Sequence, residues 1–354
     1  MSSTHCRRLR GMVYTMTNEA TNRIVAFNRL KDGQVTFLGT FETGGSGTNE
    51  QTVDPLVSQG SVILSRGNCF LFAVNAASNS ISSFKVTPTG ELVLIDVEPS
   101  NGVRPNSLAV SQNLLYVTNV GDANNPANVT GFFVANDGQL SPIPGSTSNL
   151  STSNPQPSCI VFSTDGSKLA VSELNTNRIS IFNVNANGTL IGPFVNNSSG
   201  AGPFGSVFLF SGPLLVTEAG SDALSSYFVN DNGTLNVISP SVLNGQLATC
   251  WVAISRNEEF AYTSNAGSGT ISIYRVFPNG VLRLAGIVYS TRSQIAAPID
   301  EAVSQDGCNL FVLNGNLGTI TEFAIKDEGF TLIPVKIISN PAIPEIGAQG
   351  MAVI

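Results

Sequence analysis

The stretch from Asn75 to Leu92 reads NAASNSISSFKVTPTGEL, and its spacing recurs along the whole chain. An asparagine is followed by five residues, an aliphatic residue, two residues, an aromatic residue, five residues and a glycine. The same register is present in NEATNRIVAFNRLKDGQV, which starts at Asn18, and in NAGSGTISIYRVFPNGVL, which starts at Asn265. A repeat at a fixed period decides the fold, because each copy forms one supersecondary unit that packs on its neighbours.

The register occurs seven times. The aliphatic–aromatic pairs are Ile24/Phe27, Ile81/Phe84, Val129/Phe132, Ile179/Phe182, Leu224/Tyr227, Ile271/Tyr274 and Ile320/Phe323. The glycine that follows each pair is Gly33, Gly90, Gly138, Gly188, Gly233, Gly280 or Gly329. The leading residues are Asn18, Asn75, Asn119, Glu173, Glu218, Asn265 and Asn314. The glycines lie 45 to 57 residues apart, a period typical of a β-propeller blade.

The local chemistry within each copy is that of β-strands and hairpins. Runs such as LFAVN, LYVTN and AYTSN are β-branched and aromatic, and NDG, NANG and PNG supply the positive φ angles that tight hairpin turns need. No segment shows sustained helical periodicity. Each copy therefore predicts four antiparallel strands, ordered from the axis of the ring outward.

The end of the chain predicts how the ring closes. Six segments read as innermost strands, among them SVILS at 61–65, WVAIS at 251–255 and DEAVS at 300–304. The seventh is GMAVI at 350–354, whereas the first copy starts at its second strand, GMVYTMTN, at Gly11. We therefore predict an all-β, seven-bladed propeller over residues 11–354, closed by residues 350–354 pairing in the N-terminal blade, with residues 1–10 as a disordered tail.

Composition narrows the class of partner. The 354 residues carry a net charge of −7 and only 12% charged side chains, with no basic stripe in the repeats. This balance disfavours nucleic acid and anionic membranes and favours a small-molecule substrate bound by a monomer. The start of the sequence lacks the apolar stretch of a signal peptide, which predicts a cytoplasmic protein. The alternative is a secreted protein whose signal peptide is absent from this sequence.

Several kinds of catalytic centre are excluded by the residues that are missing. The only histidine is His5, outside the repeats, so the propeller has no Ser–His–Asp triad, Cys–His pair or histidine-bound zinc. The five cysteines are widely spaced without a Cys-x-x-Cys motif. We expect no cofactor. If a metal is bound, we expect Ca²⁺ or Mg²⁺ held by oxygen ligands from Glu173 and Glu218.

Two carboxylates depart from the repeat on one face of the ring. The inner strand and the second strand form a hairpin, so the start of the first and the end of the second lie on the same face, around the channel mouth. There Glu173 and Glu218 replace asparagine in two adjacent blades. A structural role for the position and an acid–base role for this pair remain equally open.

The starts of the inner strands supply the other candidates. Asp300 and Glu301 are the only acids there, and strict alternation would aim one of them at the mouth. Trp251, the sole tryptophan, is either a ligand platform or a packing residue between blades. Arg104 is either an anion-binding residue or part of a loop ion pair. The other polar residues expected to contact a substrate are Gln59, Asn106 and Gln349.

One connection in this region is unusually long. Residues 44–59, GGSGTNEQTVDPLVSQ, join the first and second blades. A mobile surface loop without function is the default interpretation of such a segment, and a lid over the mouth is the alternative.

Several motifs together resemble one known family. They are VYTMTNEATNRIVAFNRLKDGQV at 13–35, PFGSV at 203–207, ATCWVAIS at 248–255 and APIDEAVSQDG at 297–307. Over residues 11–354 the chain is similar to the lactonase-type seven-bladed propellers, which include 6-phosphogluconolactonase and the fungal 3-carboxy-cis,cis-muconate lactonising enzyme.

The resemblance implies an enzyme that makes or opens a lactone at the channel mouth, with acid–base side chains and an arginine. Histidine cannot be carried over to any position of the repeats. Arg104 is the one arginine that can be, and Glu173 and Glu218 are the acid–base candidates, with Asp300 or Glu301 as partner. We therefore expect lactone hydrolysis or lactonising cycloisomerisation of a small, neutral or weakly anionic substrate. The alternative is a non-catalytic propeller that binds a partner or ligand through the same face.

Overall fold

The computed structural model describes residues 9–354. Twenty-nine strands form seven antiparallel sheets arranged as blades around a central channel. The predicted all-β, seven-bladed propeller is confirmed. The described residues also contain two 3-10 turns, at Leu174–Thr176 and Asp327–Gly329, and no helix with the length and apolar character needed to span a bilayer.

The blades are numbered along the chain, and their strands are given from the axis outward. Blade 1 is β29 (Gln349–Val353), β1 (Leu9–Met16), β2 (Arg23–Leu30) and β3 (Val35–Glu42). Blade 2 is β4 (Val62–Leu64), β5 (Phe70–Asn75), β6 (Ser80–Val86) and β7 (Leu92–Pro99). Blade 3 is β8 (Pro105–Ser111), β9 (Leu114–Asn119) and β10 (Asn128–Val134), with an outer strand split into β11 (Leu140–Pro142) and β12 (Ser148–Asn149).

The other four blades are unbroken. Blade 4 is β13 (Pro157–Phe162), β14 (Lys168–Glu173), β15 (Arg178–Val184) and β16 (Leu190–Asn197). Blade 5 is β17 (Pro203–Phe208), β18 (Leu214–Glu218), β19 (Ala223–Val229) and β20 (Leu235–Leu243). Blade 6 is β21 (Thr249–Ile254), β22 (Phe260–Asn265), β23 (Thr270–Val276) and β24 (Leu282–Tyr289). Blade 7 is β25 (Pro298–Val303), β26 (Asn309–Asn314), β27 (Thr319–Lys326) and β28 (Thr331–Ser339).

The repeated register maps onto the third strand of every blade. All fourteen aliphatic and aromatic residues of the register are buried there, each no more than 1% exposed. The seven glycines lie in the turns that follow, with φ between 77° and 120°, a range that side chains disfavour. The period in the sequence is therefore the period of core side chains and of one glycine turn per blade.

Ring closure occurs where the sequence predicts it. Strand β29 pairs antiparallel with β1, with Val353 opposite Val13 and Ala352 opposite Tyr14. The first blade is thus built from both ends of the chain. Residues 1–8, which make up most of the predicted tail and include His5 and Cys6, lie outside the described residues. Strand β1 begins at Leu9, two residues before the predicted boundary of the propeller.

Neighbouring blades are tied together through the glycine turns. The hydroxyl of Tyr14 donates to the carbonyl of Gly90 in the next blade at 2.9 Å, and Tyr262 donates to Gly329 at 2.8 Å. A serine does the same between blades 5 and 6, where Ser226 donates to a turn glycine at 2.7 Å. These bonds satisfy buried polar groups between sheets and fix the spacing of the blades around the channel.

Candidate active site

The inner strands begin with a bulge in six of the seven blades. The register between first and second strand slips at Gly350, Asn106, Ser158, Phe204–Gly205, Cys250 and Asp300. Because these starts share one face, the bulged residues surround the channel mouth. Bulges re-aim side chains and are frequent beside active sites.

Asp300 is the only charged residue among these bulged positions. Its φ of +48° lies in the left-handed region. The equivalent residue of blade 1 also has a positive φ, of +78°, but it is a glycine, Gly350. A non-glycine residue in this conformation is strained, and such strain persists where the surroundings impose it. The side chain is 4% exposed, and Oδ1 accepts from the N–H of Glu301 at 3.0 Å. Its Oδ2 has no hydrogen-bond partner among the described residues.

The channel mouth is closed by residues 53–59, which we call the mouth segment. The carbonyl of Leu56 accepts from the side-chain amide of Asn106 at 3.3 Å, and the carbonyl of Ser58 accepts from the indole N–H of Trp251 at 3.0 Å. The side chain of Gln59 accepts from the N–H of Val252 at 3.0 Å. The segment therefore spans the ring from blade 3 to blade 6. It is packed into the mouth, which corrects the default interpretation of a mobile surface loop.

The mouth segment itself is strained. Val57 has a φ of +50°, which is a rare conformation for a β-branched residue. Leu56 and Ser58 on either side are buried, at 4% and 0% exposed. The strain is maintained by the contacts that Leu56 and Ser58 make with the inner strands. Segments of this kind are found where a site is covered or switched.

Asp54 is a second buried carboxyl, and its charge acts on Asp300. Burial is the largest cause that raises the pKa of Asp54 to about 7, and the nearby N–H groups of Val57 and Ser58 and the side chain of Gln349 act against it. Burial is also the main cause that raises the pKa of Asp300 to about 8, and the charge of Asp54 adds to it. The Oδ1 of Asp54 is buried without a partner among the described residues. We call Asp54 and Asp300 the carboxyl pair, because both groups retain protons near neutral pH.

Glu301 faces a different blade. Its Oε2 accepts from the hydroxyl of Ser264 on β22 at 2.5 Å, whereas the backbone N–H of Met351 on β29 lies close enough to Asp300 to lower its pKa. Burial raises the pKa of Glu301 well above its usual value. Consecutive residues of β25 thus project toward opposite neighbours, and Asp300 is the one whose pKa the charge of Asp54 raises.

Of the four residues expected to contact a substrate, three bind the mouth segment, and the fourth, Gln59, belongs to it. Besides the bonds of Asn106, Trp251 and Gln59, the side chain of Gln349 donates to the carbonyl of Val53 at 3.4 Å. Trp251 is 1% exposed and packs edge-on against Phe204, with 4.9 Å between ring centroids. In the closed mouth these side chains bind protein, so a substrate reaches them only when the segment moves.

Glu173 and Glu218 act as clamps within their own loops. Glu173 is fully buried, and its carboxylate accepts from Ser180 at 2.6 Å, from Thr176 at 3.2 Å and from both the hydroxyl and the N–H of Ser151. Glu218 is fully buried too. Its oxygens accept from Ser225 and Ser241 at 2.6 Å each and from the N–H of Gly200 at 2.8 Å.

The asparagines at the equivalent position bind serine hydroxyls at the same spacing, but they donate the hydrogen bond instead of accepting it. Asn75 donates to Ser80 at 3.2 Å and to Ser82 at 2.7 Å, and Asn265 donates to Ser272 at 2.9 Å. The hydroxyl seven residues on is therefore an acceptor for asparagine and a donor for glutamate. These contacts account for both glutamates, and neither contributes to the raised pKa of Asp54 or Asp300.

Replacing either clamp with glutamine is expected to lower stability and leave turnover unchanged. Glutamine retains one acceptor oxygen but presents an N–H₂ group to hydroxyls that now donate, which costs about 1–3 kcal/mol for a buried group. Thermal denaturation and initial rates of Glu173→Gln and Glu218→Gln measure the two effects separately. Loss of turnover with the melting temperature unchanged would restore these residues to the catalytic set.

Arg104 lies on the rim in a loop ion pair. One guanidinium nitrogen is 3.4 Å from an oxygen of Glu50, and the two side chains are 47% and 48% exposed. Its backbone N–H donates to the side chain of Asn79 at 2.8 Å. Arg104 therefore connects blade 3 to the chain just before the mouth segment.

A metal site would need a convergent set of oxygen, nitrogen or sulfur ligands. Among residues 9–354 no group of three or more His, Cys, Asp or Glu side chains is arranged to hold a metal ion. Glu173 and Glu218 lie at the ends of separate strands, β14 and β18. Hydroxyl and N–H donors already bind their carboxylate oxygens.

Gly205 keeps space for the mouth segment. A Cβ built on Gly205 would lie 2.3 Å from the Oε1 of Gln59 and 2.6 Å from the carbonyl oxygen of Cys250. We expect Gly205→Ala to cost about 1–3 kcal/mol by overpacking and to raise hydrogen exchange in residues 53–59. Gly39→Ala is the matched control, since its nearest neighbour would be 3.5 Å away. Equal exchange in both variants would contradict this role.

Comparison with known proteins places this architecture in a family. The model of the lactonase family, "Lactonase, 7-bladed beta-propeller", matches residues 7–148 and 48–337. No functionally curated protein matches the chain.

The structural relatives share the whole propeller at low identity. A candidate 6-phosphogluconolactonase from Bacteroides fragilis is 19% identical, with a TM-score of 0.76 and all of both chains covered. A periplasmic gluconolactonase from Pseudomonas aeruginosa is 17% identical, with a TM-score of 0.72 over 97% of this chain and 99% of that one. These likenesses show the fold, and the family match spans nearly all of the sequence. The chain therefore belongs to the lactonase family of seven-bladed β-propellers.

Proposed function

We propose that this protein is a lactone hydrolase whose catalytic groups are Asp54 and Asp300 under the mouth segment. Family membership supports lactone chemistry in general. The observation that carries the assignment to this site is the carboxyl pair with raised pKa values, about 7 and about 8, each with one buried oxygen free of partners among residues 9–354. Groups that keep a proton near neutral pH are suited to general acid–base work.

The two roles follow from the order of the pKa values. Asp54, with the lower pKa, accepts a proton from water as the water oxygen bonds to the lactone carbonyl carbon. Asp300, still protonated, gives its proton to the ring oxygen as the C–O bond breaks. The product is a hydroxy acid, and the proton on Asp54 returns to Asp300 through solvent. Lactonising cycloisomerisation would use the same site: a carboxylate oxygen of the substrate bonds to one alkene carbon as Asp300 gives its proton to the other, and Asp300 regains a proton from solvent.

The charge around the pair favours a neutral or weakly anionic substrate. The ionised Asp54 repels a phosphorylated ligand, and Arg104 is paired with Glu50. We accordingly propose a small lactone as the substrate and a monomer that works without metal, nucleic acid or membrane. Since Asp300 is only 4% exposed, entry of the substrate requires the mouth segment to move.

A pH-stat screen of the purified protein against γ- and δ-lactones tests the proposal. We expect acid release from at least one lactone without a phosphate group, unchanged by chelator. A folded protein that releases acid from none, and that also lactonises no unsaturated acid in an absorbance assay, would favour the non-catalytic binding propeller instead.

A further inference from the structure

A second cavity lies on the outside of the ring, away from the channel. It is a groove of about 820 Å³ between β24 of blade 6 and β28 of blade 7, which we call the outer groove. Its walls are formed by Val288, Tyr289, Pro334, Val335 and Ile337. A volume of this size is within the range of small-molecule sites.

The walls leave apolar surface in solvent. Tyr289 is 57% exposed, Val335 is 52% exposed and Ile337 is 51% exposed. Val335 lies at the register shift of β28, between Pro334 and Lys336, and Ile337 follows two residues later; both line the groove. Single exposed apolar residues are ordinary on a protein surface, whereas a continuous patch lining a concave groove indicates a binding site.

Polar groups are concentrated at one end of the outer groove. Ser290 lines it and is fully buried, and its hydroxyl has no hydrogen-bond partner among the described residues. A buried hydroxyl without a partner is costly unless something binds it. Arg292, two residues on, also lines the groove and forms no ion pair within residues 9–354. A polar group of a ligand would therefore bind beside Ser290 and Arg292.

The charge of the outer groove is unusual for this protein. The chain has 17 Lys and Arg against 24 Asp and Glu, yet the lining contains Arg292 and Lys336 and no acid. The ammonium group of Lys336 lies 3.5 Å from the carbonyl of Val35 in blade 1, so Arg292 is the cation available to a ligand. A cation and a hydroxyl donor at one end of an apolar groove match an anionic head with an apolar tail.

We propose that the outer groove binds an amphipathic carboxylate with a medium-length alkyl chain. The carboxylate would accept from the guanidinium of Arg292 and from the hydroxyl of Ser290, and the chain would lie against Tyr289, Val335 and Ile337. The wall from Pro334 to Ile337 extends over roughly 10 Å at about 3.3 Å per residue, which a medium-length chain can fill. This site is separate from the channel and its inference does not depend on lactone chemistry.

Displacement of a fluorescent fatty acid tests the proposal. The protein is titrated with 11-(dansylamino)undecanoic acid, and decanoate, 1-decanol and decyltrimethylammonium compete for the probe. We expect decanoate to displace it at least about 10-fold more effectively than the alcohol or the cation, because only the carboxylate pairs with arginine. Equal displacement by all three would overturn the proposed head-group recognition.

Matched variants assign the binding to this groove. Arg292→Gln is expected to weaken decanoate binding about 5- to 10-fold, and Val335→Ser to weaken it about 3- to 10-fold. The controls are Arg283→Gln, an exposed arginine on β24 that does not line the groove, and Val237→Ser, a valine 51% exposed on blade 5. Equal effects of variants and controls would overturn the assignment. So would a dimer in sedimentation that Ile337→Ser dissociates, because a second copy would then cover the groove.

Discussion

Asp300→Asn is expected to lower lactone turnover by about 10²- to 10⁴-fold, the usual contribution of a general acid or base. Asparagine has the same shape and is among the residues that tolerate a positive φ, so the bulge at the start of β25 is preserved. What is lost is the proton that Asp300 holds at neutral pH, where burial and the charge of Asp54 keep its pKa near 8. Initial rates in the pH-stat assay measure the loss.

The pH dependence of the wild-type rate carries the same information. Below about pH 7 the base Asp54 becomes protonated, and above about pH 8 the acid Asp300 ionises, so the rate is highest between these values. The residual activity of Asp300→Asn should lack the fall at high pH. Glu301→Gln is the control, because this neighbour is equally buried but binds Ser264 in blade 6. Similar losses in both variants would argue that burial of charge, not Asp300, governs the rate.

The sequence predicts the architecture because the repeat records core packing directly. The aliphatic and aromatic residues of each copy are buried in the third strand, and Gly33 and its six equivalents take the positive φ that the turn needs. Closure of the ring follows from counting inner strands, and β29 pairs with β1 as that count requires. Local patterns of this kind need no knowledge of distant contacts.

The candidate site is only partly visible in the sequence. Asp300 stands out because every equivalent position is neutral. Asp54 does not, since residues 44–59 have no counterpart in the repeat and their path into the mouth depends on bonds to Asn106, Trp251 and Gln349. Those bonds join residues far apart in the chain, and no local spacing predicts them.

The sequence around Glu173 and Glu218 contains evidence for their structural role that the change from asparagine to glutamate makes easy to overlook. Ser180 and Ser225 lie seven residues after Glu173 and Glu218, as Ser82 lies after Asn75. A hydroxyl retained beside both side chains indicates a shared clamp, since serine can donate to a carboxylate as well as accept from an amide. The partner, and not the substituted residue alone, distinguishes a loop clamp from an acid–base group.

Stability is expected to fall as the pH rises from about 5 to about 9, and Asp300→Asn should remove much of that fall. A carboxyl whose pKa is raised in the folded protein binds its proton more tightly there than in the unfolded chain. Its contribution is complete below the unfolded pKa of 3.8 and is lost as the pH rises through about 8. For the buried Asp300 the full loss is on the order of 6 kcal/mol, of which about 4 kcal/mol falls between about pH 5 and 8, and burial of Glu301 acts in the same direction.

Urea unfolding at about pH 5, 7 and 9 compares the two proteins over this window. Above about pH 8 the wild type must hold an ionised Asp300 in a buried, strained position beside Asp54, whereas asparagine carries no charge at any pH. The variant should therefore be more stable than the wild type at pH 9 while being nearly inactive, as expected where a site sacrifices stability for chemistry. Parallel stability profiles for the two proteins would mean that Asp300 ionises freely, and the proposed acid would be lost with it.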